Sequence, residues 1–256
     1  MNLFEQYGIK EVADVIVYEL NADGSFGAPV LFFDTLKVSN VEQTGETADA
    51  RGGKGNPKLI QWNYNKEITM TLQDALLSPK SLEFMTGANG TAHDGTKNIR
   101  KAEVLTLGST KKFSPKYAAA GSSVYIIDTR ETLTSTNGIY TSTAGASGQT
   151  VRVGYNVVSV SDSVYEVVIK PDSFPGTYAI VGDTFIRNKT TGVDEGFQFI
   201  VPKAKLGTDV TFTMEAEGDP TVFDMSVTVL KANNGSMMSL VKYDIGDASA
   251  NSISNL

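Results

Sequence analysis

The chain contains one histidine, His93, and Asp94 follows it directly. A histidine oriented by a carboxylate is a general base, but neighbouring residues do not ordinarily face each other. With no second histidine and no cysteine, neither a metal site nor a thiol nucleophile has material to build on. His93 lies in a Gly/Asn/Asp-rich run, residues 87–100, and reads as an exposed loop histidine. Asp128, Asp183, Glu195 and Asp224 fall on or beside predicted strands, and a carboxylate pair at the right separation serves glycoside hydrolysis. One tryptophan in 256 residues, however, leaves little aromatic surface for stacking sugars. A third candidate is the basic, glycine-rich run Arg51-Gly52-Gly53-Lys54-Gly55-Asn56-Pro57-Lys58. A phosphate-binding loop needs GxxxxGK[ST] between a strand and a helix. The spacing here differs, and the apolar, aromatic run Leu59–Tyr64 follows in place of a helix. No nucleophile, base and orienting group converge, so the expectation is no enzyme, no cofactor and no metal.

The elements that must hold these residues are strands. Apolar residues make up 41% and charged residues 20% of the chain, enough for a core without disulfides. Thr, Ser, Val and Gly are abundant, which favours β structure. Residues 13–20 and 30–38 read as an antiparallel pair across the turn residues Asn21–Gly27. Residues 39–57 read as a long polar connection, and strands follow at 58–64 and 66–73. Ser78 and Pro79 suit the N-cap and first turn of a short helix over 78–85, closed by Gly87. Trp62 reads by default as a core residue and next as a subunit-interface anchor. Further strands are expected near 102–107, 124–128, 151–160, 164–170, 178–187, 197–202 and 237–243. The clearest alternation is in 209–215 and 222–229, which a turn at Ala216–Pro220 makes a plausible hairpin. Its wet face carries Thr211, Thr213, Glu215, Asp224, Ser226 and Thr228.

The fold class expected is all-β: an antiparallel β-sandwich or partial barrel with one short flanking helix and long loops. Residues 1–246 read as one β-domain. Within it the Ser/Thr/Gly-rich region 109–192 is either an inserted β-subdomain or hairpins of the same sheet system, and short Pro/Gly junctions favour continuity. Residues 247–256 read as a mobile tail.

The net charge of −7 argues against phosphate contacts with DNA or RNA, which need clustered Lys and Arg. It suits solubility, or a surface past which nucleic acid slides. The first residues do not read as a signal peptide, and no apolar run approaches the length of a membrane span, so no membrane anchor is expected.

The order within Arg51–Gly87, a long loop followed by two strands and a short helix, together with the late alternating strands, resembles the tail-tube proteins of long-tailed bacteriophages. The resemblance implies a structural virion protein. Its copies would form stacked, hexameric rings that make a conduit for genome ejection, assembled in the host cytoplasm. Partners would be other copies and other phage tail proteins, and DNA would pass without specific binding. It further implies that the long loop, with Arg51, Gly53, Lys54 and Asn56, reaches the next ring, and that the late strands line the channel. A loose surface loop and an ordinary solvent face remain open for these two segments. The alternative functions are a capsid or baseplate decoration protein or adhesin-type β-sandwich, and then a carboxylate-dependent carbohydrate-active enzyme.

Overall fold

The computed structural model describes residues 5–9, 11–93, 97–119, 121–158, 164–211 and 222–243. The chain is all-β with one helix. Its elements run β1 (Tyr7–Ile9), β2 (Asp14–Leu20), β3 (Phe26–Phe33), β4 (Leu36–Arg51), β5 (Lys58–Asp74), α1 (Pro79–Thr86), β6 (Gly90–His93), β7 (Asn98–Thr106) and β8 (Lys112–Phe113). There follow β9 (Ser123–Ile126), β10 (Glu131–Thr134), β11 (Tyr140–Thr141), β12 (Thr150–Val158), β13 (Val164–Val167), β14 (Thr177–Asn188), β15 (Asp194–Leu206), β16 (Phe223–Val229) and β17 (Ser239–Tyr243). Two compact units result, Met1–Asn89 with Val167–Leu256, and Gly90–Glu166. The region marked by its Ser/Thr/Gly content was 109–192.

The first unit is a nine-stranded sheet in the order β3-β2-β14-β15-β16-β5-β4, with β1 on β14 and β17 on β15. Every pairing in it is antiparallel. Residues 34 and 35 alone join β3 to β4, so the two outermost strands come round towards each other without pairing: the sheet is a partial, unclosed barrel. Its inner face buries Val15, Val17, Met70, Leu72, Ile180, Val201, Met225 and Val227, each alternating with a more exposed neighbour as a one-sided sheet requires. Helix α1 starts as expected: Ser78 Oγ accepts from Ser81 N at 2.9 Å, Pro79 follows, and Gly87 caps the end. It presses Phe84 and Met85 into the core, with the Phe84 ring 4.8 Å from that of Tyr178. Leu82, expected on the apolar face, is only half-buried, and Ser81 and Thr86 are buried instead.

Several expected boundaries move. The strand expected over 30–38 is two: β3 stops at Phe33, and Leu36 opens β4 on the far edge of the sheet. The strands expected at 58–64 and 66–73 are one continuous β5. Of the expected hairpin of 209–215 with 222–229, residues 212–221 lie outside the described residues, and the partners described for β16 are others. β16 pairs with β15 through Ala204–Leu206 and with β5 through Thr69–Asp74, while 209–211 lie outside any strand. Alternation marked β16 correctly as one-sided but carried no information about its partner.

Gly182 sits opposite Phe199 across β14 and β15, and a Cβ built on it would lie 2.0 Å from the Phe199 ring. The ring takes the place a side chain would occupy, and burial of Phe199 depends on that bare backbone.

The second unit holds a four-stranded sheet, β10-β9-β12-β7, and two short ribbons, β11-β8 and β13-β6. Val124, Ile126, Val151 and Val153 pack with the stacked rings of Phe113 and Tyr140, 5.7 Å apart. Glu131 ties this unit together. Its carboxylate accepts from Thr143 N at 2.7 Å, Thr143 Oγ1 at 2.5 Å, Ala144 N at 3.0 Å, Ser142 Oγ at 2.6 Å and Thr129 Oγ1 at 2.7 Å. The hydroxyls of Ser142 and Thr143 hold the carboxyl well below the usual carboxylate range.

Two predictions follow from these contacts. Gly182→Val should lower stability by about 2 kcal/mol in a urea melt, because the added side chain must displace Phe199. Glu131→Ala should cost the second unit about 2 kcal/mol, since it leaves charge-assisted donors unmatched. A depressed carboxyl stabilises fully above its unfolded pKa of about 4.3 and loses that contribution as pH falls towards its folded value. Amide protection in β9–β12, taken relative to the intrinsic exchange rate at each pH, should therefore fall below about pH 4. Glu131→Gln keeps one carbonyl oxygen for Thr143 and Ala144 but has no charge to lose, so it should show a shallower acid slope.

Candidate assembly interface

Residues 39–57 are not the expected loop. Residues 36–51 are strand β4, and only 52–57 turn. Ser39 to Arg51 pair in register with Leu72 back to Lys58. The stretch looked like a loop because it has few apolar residues, and it has few because both its faces meet solvent over most of its length. From Gln43 to Asp49 and from Lys58 to Glu67 every residue is exposed. The two strands thus leave the body of the sheet as a two-stranded arm. Gly53 at φ 82°, Gly55 at 85° and Asn56 at 50° make the tight turn at its tip, a left-handed path that favours Gly and Asn. Asn56 N donates to Gly53 O at 3.1 Å. Arg51, Gly53, Lys54 and Asn56 are all at this tip and exposed. Asp49 is bracketed by Lys58 at 2.9 Å and Arg51 at 3.3 Å.

A bulge divides the arm from the body. Thr44 pairs with Glu67 but Glu46 pairs with Tyr64, so Gly45 alone opposes Asn65 and Lys66, and Asn65 takes a φ of 47°. The extra residue swaps the faces of β5. Below the bulge Ile68, Met70 and Leu72 point into the core, opposite Gln43, Val41 and Ser39. Above it Ile60, Trp62 and Tyr64 pair with Ala50, Ala48 and Glu46, which belong to the other face of β4. The arm therefore has one apolar face, Ile60-Trp62-Tyr64 over two alanines, directed opposite to the protein's own core. Trp62 is 54% exposed, which corrects its expected default place in the core. The alternation Ile60, Trp62, Tyr64 and the paired alanines were visible in the sequence; the bulge that turns them outward was not.

Of the expected wet-face residues, Asp224, Ser226 and Thr228 are exposed on β16, opposite Gln73, Thr71 and Thr69 of β5. Asn40 and Glu42 of β4 continue the rows from Thr71 and Thr69. The two rows Ser226-Thr71-Asn40 and Thr228-Thr69-Glu42 are hydroxyl, amide and carboxylate, while the row Asp224-Gln73 ends on β4 at the exposed Val38. The first cation is Lys205 of β15, opposite Thr228, and its Nζ donates to Pro175 O at 2.6 Å. Thr211 is exposed and not in a strand. Thr213 and Glu215 lie outside the described residues.

His93 is not in an exposed loop: it belongs to β6 and is half-buried. Its Nε2 lies 2.9 Å from Glu166 Oε2, and Lys97 Nζ lies 2.6 Å from Glu166 Oε1. Lys97 first and His93 second lower the Glu166 pKa. The candidate carboxylates each have their own surroundings. Asp128 binds Arg152 at 2.6 Å, Asp183 accepts from Tyr243 Oη at 2.7 Å, Glu195 pairs with Lys242, and Asp224 is exposed on β16. Among the described residues no three His, Asp or Glu side chains are grouped to hold a metal ion. No described helix is long and apolar enough to cross a membrane.

Among the described residues the sheet also has two free edges, and they differ. Pro29 lies in β3, and the pairing of β3 with β2 is interrupted by register shifts on both sides of Tyr18. Proline and bulges blunt an edge against further pairing. β4, at the other end of the order, has no proline in its 16 residues.

No curated protein matches the chain. A family model does, over residues 7–240, a span that takes in the arm, the sheet and the second unit alike. With its open antiparallel sheet and projecting ribbon, the chain belongs to the YomU/Tube protein family, a family of the phage tail-tube type.

Proposed function

We propose that this chain is the structural subunit of a bacteriophage tail tube, whose copies close into rings, hexameric by the resemblance, and stack to form a conduit for the genome. Its place is the virion tail, after assembly in the host cytoplasm, and its partners are its own copies and other tail proteins. The observation that carries the reading is the arm. A two-stranded ribbon standing alone in water is marginally stable at best, and this one also exposes Ile60, Trp62 and Tyr64 on one side. Such a ribbon suits a chain that is completed by a neighbour. The proline-free edge of β4 supports the same reading, since a free edge that is a liability in a monomer is an interface in an assembly. Subunits held this way typically bury about 2,000 Å² or more. The hydroxyl and carboxylate rows on β16, β5 and β4, with Asp224, Ser226 and Thr228 at their centre, suit a channel wall. DNA carries about one charge per 1.7 Å of duplex and is not held by such a surface. The arm tip with Arg51, Gly53, Lys54 and Asn56 is the element that reaches the adjacent ring.

Electron microscopy of the purified protein tests this directly. Tubes or stacked rings are expected; discrete monomers or trimers at every concentration would point to a decoration protein. Replacing Glu46–Tyr64 with a short turn should leave a folded subunit, judged by an unchanged far-ultraviolet β signature and cooperative melt, that no longer forms tubes. The single tryptophan gives a second readout. Trp62 in the free subunit should emit like a solvated indole and be quenched readily by acrylamide. Assembly should shift its emission to shorter wavelength and cut the quenching constant at least about twofold, as burial in an interface requires. Unchanged emission on assembly would remove Trp62 from the contact.

A further inference from the structure

The body of the first unit has an open groove of about 620 Å³ beside the root of the arm. Lys37–Val41 of β4 form one wall, the link between β1 and β2 forms another, and Met238 and Leu240 form a third. Phe197, Phe199 and Thr184 lie between them. Ala13 N donates to Ser39 Oγ at 3.2 Å and ties the first two walls together. Val12, Val38 and Leu240 are exposed on its rim, Leu240 by 61%. The groove lies between the edge of β4 and the β1–β2 link, and Phe199 of the core forms part of its floor.

We propose that this groove receives the arm of a second copy of the chain, with Trp62 and Ile60 seated between Val38 and Leu240. The inference rests on the reading that copies of this chain assemble, and it names the surface that the arm meets.

Three observations select this occupant. Among the described residues nothing covers the apolar face of the arm, and the groove is an apolar surface of a size that accepts large side chains. The charges also match. Residues 46–66 hold four basic side chains against two acidic ones, a net +2, which leaves −9 on the rest of a chain whose total is −7. A cationic ribbon is thus drawn to an acidic body and repelled by another arm. Finally, the arm cannot fill its own groove. Its root, Lys37–Val41, is the groove's wall, and Ala48, the partner of Trp62, lies seven residues beyond Val41, about 23 Å along an extended strand. Folding back would break the β4–β5 ladder. Donor and receiver are different surfaces of one molecule, so the contact is heterologous and each filled groove leaves another arm free.

The chain has no cysteine, so a disulfide can be placed at will. Trp62→Cys and Leu240→Cys in one chain, under mild oxidation during assembly, should give a ladder of covalent dimers, trimers and higher multimers. Both positions are exposed, so neither change threatens the fold. Leu240→Glu should raise the concentration needed for tubes at least about tenfold, because it places a charge opposite the apolar face of the arm. Dimers alone would overturn the head-to-tail arrangement. Equal cross-linking of Trp62→Cys with Val104→Cys, a position exposed in the second unit, would make the contact non-specific and overturn it too. If removal of Glu46–Tyr64 abolishes tubes while the cysteine pair stays uncoupled and Leu240→Glu assembles normally, the groove is not the receiver and the tube reading stands. If the arm deletion leaves tubes intact, the arm is not the contact and this inference falls, while the reading of the chain as a tube subunit stands.

Discussion

One extra residue in β5 decides what this sheet can do. A strand has a period of two, so a ladder that buries every second residue near its root would keep the same face apolar to its tip. Its exposed half would then lean its apolar side over the mouth of its own core. Gly45 set against Asn65 and Lys66 breaks that continuity. Below the bulge the apolar face points inward, and above it the apolar face points away. The positive φ of Asn65 is the local expense of the inversion, and Asn is among the few residues that adopt it readily. Without the bulge the protein would have a longer edge strand; with it, the protein has an arm.

The energetics of such an arm place it near the limit of independent order. Its cross-strand bonds are solvated, its ion pairs around Asp49 are exposed, and exposed pairs contribute little. Indole against Ala48 is its best internal contact. Most of the free energy that could hold the arm is apolar surface not yet buried, and that surface becomes available only on contact. The body differs: Val15, Val17, Met70, Ile180 and Val227 are fully enclosed in the monomer. A subunit with a self-sufficient core and an unsatisfied arm can be made and stored folded, and it changes state only when it meets its like.

The sequence showed the architecture well where one face of a strand is wet and the other dry. β2, β14, β16 and the capped helix α1 lie close to where alternation and Ser78-Pro79 put them, because in these elements burial and period agree. It failed where that agreement is absent. β4 beyond Val41 has both faces in solvent, so nothing in its composition separates it from a loop; only pairing with β5 makes it a strand. The same blindness put Trp62 in the core, since periodicity records which side chains share a face and not whether anything covers it. Asp224, Ser226 and Thr228 were placed on a wet face because Met225 and Val227 between them are apolar. Their described neighbours, β5 and β15, come from long-range pairing that a local pattern does not encode. His93 was misread for a related reason: Glu166, which anchors it, is 73 positions away.

Charge adds a constraint that geometry alone does not supply. An acidic body dissolves well and repels its copies, which protects a protein with an open sheet edge and an exposed aromatic ribbon from indiscriminate clumping. Residues 46–66, at a net +2, are one exception to that repulsion, and the second unit, with eight basic side chains against six acidic, is another; the rest of the first unit carries the acidity. On the proposed reading, encounter is favoured between the arm and the acidic first unit of another copy and disfavoured arm to arm. Electrostatics of this exposed kind governs the rate and direction of approach more than the strength of the final contact, and it weakens over a Debye length of about 8 Å at physiological salt. Holding the assembly then falls to the burial of Ile60, Trp62 and Tyr64, which salt does not screen. On the proposed reading the basic tip selects the partner's orientation and the apolar face retains it, so salt should slow assembly far more than it dissolves what has already assembled.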